Sequence, residues 1–317
     1  MNDTVVLLGG AGFIGRHLAR RLLAEGVPAV ILDRQRPAAL PGVEIEVGDF
    51  ADPTALGRVL RPGRVVVHLA WSTLPATSNE DPAADLRENV SGSLTLLDAC
   101  CRAGVRRLLF FSSGGTVYGN APRVPLREDD PTDPICAYGV SKLAVEKYLA
   151  LFRRLSGLDC IILRPSTAYG PDQDYRRGQG AVTAFTDLAA RGEPITIWGD
   201  GNVVRDFLHV GDLVDATVRL MRHDPGPAGP RVFNVGTGQG TSLRELVTII
   251  GRALGRQPAV QYAPPRGLDV EANVLDSARL REATGWRPSV TLPEGILGML
   301  RAWETHTAPP AGRRGKV

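Results

Sequence analysis

Tyr138 and Lys142 stand four residues apart in the run Tyr138-Gly139-Val140-Ser141-Lys142, a spacing that puts both side chains on one face of a helix. A phenol with a pKa near 10 is a poor base at neutral pH. An ammonium beside it stabilises the phenolate and lowers that pKa, so the pair can accept and return a proton. Tyr-x-x-x-Lys is common by chance, but lysine occurs in this chain only at Lys142, Lys147 and Lys316, while arginine is used freely. A chain that avoids lysine and keeps one here requires a compact ammonium at that point. Lys147 reads as an ordinary exposed helix charge.

Upstream, Phe111-Ser112-Ser113-Gly114-Gly115-Thr116-Val117-Tyr118-Gly119 follows an apolar run, at what would be the C-terminal end of a central strand. Ligands of open α/β sheets bind at such ends, and hydroxyls there can hydrogen-bond a substrate oxygen that loses its proton. At the start of the chain, Gly9-Gly10-Ala11-Gly12-Phe13-Ile14-Gly15 lies between a strand and a helix. Glycines at 9, 12 and 15 permit a tight turn and close approach of backbone to a pyrophosphate, which the helix N-terminus then attracts. Asp33 ends the next strand, where a carboxylate can accept hydrogen bonds from an adenosine ribose. A carboxylate there repels a 2′-phosphate, so the cofactor reads as NAD. Arg34 reads as a solvated charge that can stack on the adenine.

The elements that must hold these residues follow from periodicity. Short apolar runs at Val5–Leu8, Ala29–Leu32, Glu44–Val47, Val65–Leu69, Leu108–Ser112 and Cys160–Leu163 alternate with amphipathic stretches such as Ile14–Ala24, Ala84–Arg102 and Lys142–Leu155. Continuous apolar strands between helices imply a parallel sheet covered on both faces. The expected fold class is therefore α/β: a Rossmann-type doubly wound sheet with a smaller C-terminal α/β lobe. We expect a dinucleotide-binding domain over 1–170 with returns near 206–236, a mainly substrate-binding lobe over 171–304, and a disordered Pro-, Gly- and Arg-rich tail over 305–317. The 317 residues, 43% hydrophobic and 22% charged, suit a globular protein with a large core. No apolar run is long enough for a bilayer and no signal peptide is legible, so a cytoplasmic protein without a membrane partner is expected. A net charge of +3, without a dense basic patch outside Arg313–Lys316, suits a small anionic substrate and speaks against nucleic acid. Cys100, Cys101, Cys136 and Cys160 lack metal-ligand spacing and read as reduced thiols, with no metal site.

Taken together these segments resemble the extended short-chain dehydrogenase/reductases, in particular the NAD-dependent nucleotide-sugar epimerases and dehydratases of the UDP-galactose 4-epimerase-like branch. The resemblance covers nearly the whole chain: Gly9–Gly15, Gly48-Asp49, His68-Leu69-Ala70, Asn89-Val90-Ser91-Gly92, Ser112–Gly119, Tyr138–Lys142, Leu163-Arg164-Pro165, Tyr169-Gly170-Pro171, Gly199-Asp200-Gly201, Arg205–Val210 and Asn234-Val235-Gly236. It implies that Tyr138 is the acid/base, that Lys142 holds its pKa and the nicotinamide ribose, and that a Ser or Thr assists. Aligned on Val117-Tyr118-Gly119, some members carry that hydroxyl where this chain has Gly114 and others one residue earlier. The resemblance thus points to Ser113, with Thr116 as a second substrate contact. Cofactor contacts implied in the same way are Gly9, Gly12, Phe13, Ile14, Gly15, Asp33, Arg34, Asp49, Phe50, Leu69, Ala70, Trp71, Asn89, Ser112 and Pro165, besides Tyr138 and Lys142.

For the substrate, the resemblance implies Arg205 and Arg266 on a diphosphate, Asp269 on the nucleotide ribose, and Thr167, Val182 and Asn273 along the sugar pocket. Arginine suits a diphosphate because its planar fork donates paired hydrogen bonds. Members commonly have Asn at the Thr167 position, and galactose-type enzymes often have Tyr at the Asn273 position. The smaller Asn273 would admit an N-acetyl group, a carboxylate or an extended carbon chain such as a heptose. The expected reaction is 4-epimerisation of a nucleotide-diphosphate sugar, most readily a UDP-sugar, by transient oxidation at C4. Dehydratases carry an Asp-Glu pair where this chain has Gly115 and Thr116, which disfavours them. An NAD(P)H-dependent 4-keto-sugar reductase and a non-catalytic NAD-binding module are the alternatives. A homodimer through helices at Ala84–Arg102 and Lys142–Leu155 is also implied.

Overall fold

The computed structural model describes residues 4–37, 40–177, 180–265, 267 and 270–307. Arg266 and Asp269 lie outside the described residues. So does 308–317, most of the expected tail; residues 305–307 belong to a helix instead.

Seven strands form one parallel sheet: β1 (Val5–Leu8), β2 (Ala29–Asp33), β3 (Val43–Val47), β4 (Val65–His68), β5 (Arg107–Phe111), β6 (Cys160–Pro165) and β10 (Val232–Val235). Their order is β10-β6-β5-β4-β1-β2-β3. The order reverses between β1 and β4, which opens a crevice beyond their C-terminal ends. The apolar runs are continuous because both sheet faces are covered. One face packs on α1 (Phe13–Ala24), α7 (Val210–Arg222) and α9 (Ala278–Thr284), through residues such as Leu18, Leu22, Leu213 and Leu280. The other packs on α2 (Pro53–Val59), α4 (Gly92–Ala103) and α5 (Ala137–Ser156), through residues such as Leu56, Leu96, Val145 and Leu149. Thus β10 and α7, though late in the chain, belong to the first layer system.

The stretch read as one helix over Ala84–Arg102 is divided. A short α3 (Pro82–Asp85) passes into a π-helical turn at Leu86–Ser91 before α4 begins. Ser93 Oγ donates to the Asn89 carbonyl at 2.6 Å, helping to satisfy that acceptor where the helical pitch changes. The turn carries Asn89, fully buried, toward the crevice-side segment after β4, where its Oδ1 accepts from the Ser72 amide at 2.9 Å.

The smaller lobe has its own core, built from α6 (Ala181–Arg191), α8 (Leu243–Leu254) and α10 (Leu292–Thr307) around residues such as Phe185, Ile195, Leu246 and Met299. β8 (Ile195–Trp198) pairs in parallel with β12 (Val260–Ala263). β9 (Val204–His209) pairs with β7 (Thr167–Tyr169), β11 (Gly240–Ser242) and β13 (Ala272–Asn273). Among the described residues no helix is long and apolar enough to cross a membrane.

Candidate active site

The glycine turn closes over the end of β1. Gly9 adopts φ +81°, and a side-chain carbon there would come within 2.6 Å of the Ala70 backbone nitrogen, so the turn and the segment after β4 meet with no room between them. Gly12 stands at the N-cap of α1 with no side-chain cap, leaving first-turn amides for a ligand. Asp33, at the end of β2, is already oriented: its Oδ2 accepts from the Ala11 amide and its Oδ1 from the Gln35 amide, each at 3.0 Å. Arg34 is exposed, 4.0 Å from Asp49, and Asp49 Oδ1 accepts from the Ala51 amide. Phe50 lies against His68, ring centres 4.8 Å apart, and burial together with the nearby Lys142 charge pushes His68 down to about 3, so it is neutral. The glycine cradle, the fixed ribose carboxylate and the buried, unpartnered Trp71 Nε1 suit a dinucleotide laid across the β1/β4 crevice.

Tyr138 and Lys142 occupy successive turns of α5. The first turn is capped by side chains from the loop after β4: Asn79 Oδ1 accepts from the Ala137 amide at 2.8 Å and Ser78 Oγ from the Tyr138 amide at 3.0 Å. Lys142 is buried, and its Nζ donates to the Phe111 carbonyl at 2.7 Å, which ties α5 to the end of β5. It lies 5.5 Å from the centre of the Tyr138 ring. Burial holds Lys142 well below the usual lysine range, opposed by the fields of Asp85 and Glu146. Burial also pushes the Tyr138 phenol up, with smaller contributions from Cys136 and Asp85. Burial thus works against the charged form of both groups.

Ser113, Gly114 and Thr116 form the turn after β5. A side-chain carbon at 114 would come within 2.5 Å of Leu275 Cδ1 and 2.9 Å of the Arg164 carbonyl oxygen, so no hydroxyl can be carried there without moving the backbone. Ser113 is half-buried, and Thr116 Oγ1 is buried without a partner. The turn abuts α5, since a side-chain carbon on Gly139 would meet the Thr116 carbonyl oxygen at 2.9 Å. The Pro165 carbonyl accepts from the Gly114 amide at 2.9 Å. Ser112 is directed away, donating to Glu146 Oε1 at 2.5 Å.

Asn273 comes to this turn from β13: its Nδ2 donates to the Gly114 carbonyl at 2.9 Å, and its Oδ1 is buried without a partner. Thr167 starts β7, in register with Phe207 on β9, whose Arg205 is in register with Asn273. Arg205 Nη1 donates to the Val204 and Val270 carbonyls. Val182 is fully buried in the small-lobe core. A concavity of about 1010 Å³ on the small lobe is lined by Trp198, Asp200, Arg244, Tyr262 and Pro265 among others. Its aromatic lining went unnoticed in the sequence, because isolated Trp and Tyr in short strands carry no distinctive spacing. Asp85 also escaped notice. Fully buried, it accepts from Thr73 Oγ1, Ser141 Oγ and, at 3.1 Å, Asn89 Nδ2.

Residues 5–236 match the NAD dependent epimerase/dehydratase family. A curated relative, the UDP-glucose 4-epimerase of Mycolicibacterium smegmatis, is 40% identical over 304 residues, covering 92% of this chain and 95% of that one. Among solved structures, UDP-glucose 4-epimerase of Thermotoga maritima with UDP-glucose superposes with a TM-score of 0.90 at 34% identity, over 96% of this chain and all of that one. The UDP-glucose 4-epimerase of Thermus thermophilus in complex with NAD gives 0.87 at 36%, over 95% and 99%.

Proposed function

This chain belongs to the NAD-dependent epimerase/dehydratase family, and within it we propose that it is a UDP-sugar 4-epimerase, an isomerase inverting the configuration at C4. The observation that carries this reading is a Tyr138–Lys142 pair beside the β5 turn, in a turn that holds hydroxyls and no carboxylic acid. When bound, NAD supplies the acceptor and donor of the C4 hydride. Gly9, Gly12, Phe13, Ile14 and Gly15 seat its pyrophosphate, Asp33 and Arg34 its adenosine, and Leu69, Ala70, Trp71, Asn89 and Pro165 line its path toward Lys142. The Tyr138 phenolate takes the proton of the sugar C4 hydroxyl and later returns it. Lys142, as ammonium, stabilises that phenolate. Ser113 orients the C4 oxygen, a role that the filled space at Gly114 denies to the next residue. Thr116 Oγ1 and Asn273 Oδ1, both buried and unpartnered, are the groups that gain hydrogen bonds from the sugar. Arg205, with Arg266 and Asp269, takes the diphosphate and ribose, and the Trp198-lined concavity takes the nucleotide end.

Asn273, smaller than the Tyr often found there in galactose-type enzymes, favours a UDP-hexose bearing an N-acetyl or carboxylate group, or a longer sugar. Purified protein, given no added cofactor, should convert one of UDP-glucose, UDP-N-acetylglucosamine or UDP-glucuronate to its C4 epimer, read from the anomeric protons by NMR. No conversion of any of them, in protein shown to hold NAD, would rule out this substrate set and turn the reading toward a 4-keto-sugar reductase.

The second copy of the chain is the partner we assign to α5. Val140 (54% exposed), Tyr148 (37%), Leu151 (42%) and Leu155 (75%) recur at helical spacing along one stripe, and Leu86 (53%) stands exposed in the adjoining π turn. Such a stripe is buried when two copies pack in a four-helix interface. Light scattering should give twice the chain mass, and Leu151→Glu should give a monomer; a monomeric parent protein would refute the assignment.

A further inference from the structure

The Lys142 ammonium is held without a carboxylate. Among the described residues none lies within ion-pair distance of it, and the nearest acidic groups are otherwise engaged. Glu146 is bound through both oxygens to Arg164, and Asp85 accepts from Thr73, Ser141 and Asn89. His68, facing Lys142 from β4, is neutral. The ammonium donates to the Phe111 carbonyl and lies over the face of Trp71, with Nζ 3.6 Å from the ring centre. Phe110 is farther, at 4.9 Å.

Trp71 is itself fixed by this contact. Its Nε1 is buried with no partner, so no hydrogen bond of the protein orients the indole. The ring is set by the ammonium above it, by Tyr138 edge-on at 5.8 Å and 67°, and by Phe110 at 6.0 Å. It thus spans the cation and the phenol of the proposed acid/base pair. An indole face attracts a cation more strongly than the other aromatic rings do, and more so where water is excluded.

We propose that Trp71 is a positioning residue whose π face keeps Lys142 charged and in place beside Tyr138. The inference rests on the assignment of Lys142 as the activating amine, but it can be read without turnover. The chain has only three lysines, so protein labelled with ¹³C at lysine Cε gives three signals. Lys142 is identified as the one lost in Lys142→Arg and carries the ring-current displacement of a carbon above an indole. In Trp71→Leu that displacement should vanish and the titration midpoint of the signal should fall by about 1.5 pH units, the worth of a desolvated cation–π contact. Fluorinated tryptophan introduced at position 71 preserves volume and the N–H while weakening the face. The midpoint should then fall stepwise with each fluorine, and the alkaline limb of kcat should move with it while KM for the UDP-sugar stays level. A midpoint unmoved by fluorination, or a change confined to KM, overturns the proposal. The expected titration in a protein that turns over no UDP-sugar would sink the functional reading and leave this one standing.

Discussion

Tyr138→Phe should lower kcat for C4 epimerisation by about 10³-fold, the usual worth of a positioned general acid/base, while leaving the fold and the retained NAD unchanged. The substitution removes one oxygen and keeps the ring, whose edge packs on Trp71, so neither α5 nor the cofactor wall should shift. The magnitude follows from the site's electrostatics. Burial pushes the phenol above its ordinary value, and the group that reverses this is the Lys142 ammonium, which burial itself disfavours. Positive charge arriving with the bound cofactor then favours the phenolate, so the base forms only in the loaded site. The measurement is the initial rate of epimer formation with whichever UDP-sugar the parent protein turns over. A loss smaller than tenfold would show that another group moves the proton.

That much of the site was legible in the sequence because its parts are local. The glycine turn, Asp33 at a strand end and Tyr138–Lys142 on one helix face all lie within short runs whose spacing translates directly into geometry. Strands β1, β2, β4, β5 and β6 were readable for the same reason: buried on both faces of a parallel sheet, they are apolar over most of their length, whereas β3 at the edge alternates with Glu44 and Glu46. What escaped depends on distant residues meeting. Asp85 and Ser141 join across 56 positions, and Asn273 reaches the Gly114 carbonyl across 159. No periodicity encodes such contacts. The division of the 84–102 helix was hidden too, since a π turn retains helical composition and shows itself only in the carbonyl that Ser93 satisfies. Arg164 was noticed only as part of a family motif, whereas in the fold it is the hub beneath the catalytic turn.

Removing that hub should be the most destabilising single change in the first layer system. Arg164 on β6 donates Nε to Glu146 Oε1 at 2.9 Å and Nη2 to Glu146 Oε2 at 2.6 Å, with both side chains about 5% exposed or less. Its Nη1 donates to Tyr118 Oη at 2.9 Å, and Tyr118 donates in turn to Asn234 Oδ1 at 2.7 Å. Asn234 Nδ2 donates to the Leu126 carbonyl, and its amide to Glu128 Oε1. One guanidinium thereby joins α5, β6, β10 and the segment after the Ser113 turn. Arg164→Ala leaves the Glu146 carboxylate buried with only the Ser112 hydroxyl as partner, at a cost of about 3–5 kcal/mol. In a chain of this size that corresponds to a fall in Tm of roughly 5–8 °C. The cost comes from the stranded charge rather than from the attraction lost, so removing the charge as well should return much of it. Arg164→Leu combined with Glu146→Leu should unfold closer to the parent protein than Arg164→Leu alone does. Urea unfolding of the three proteins decides the matter: if the double variant is as unstable as the single, the network is held by packing and shape, and the buried charge is incidental to it.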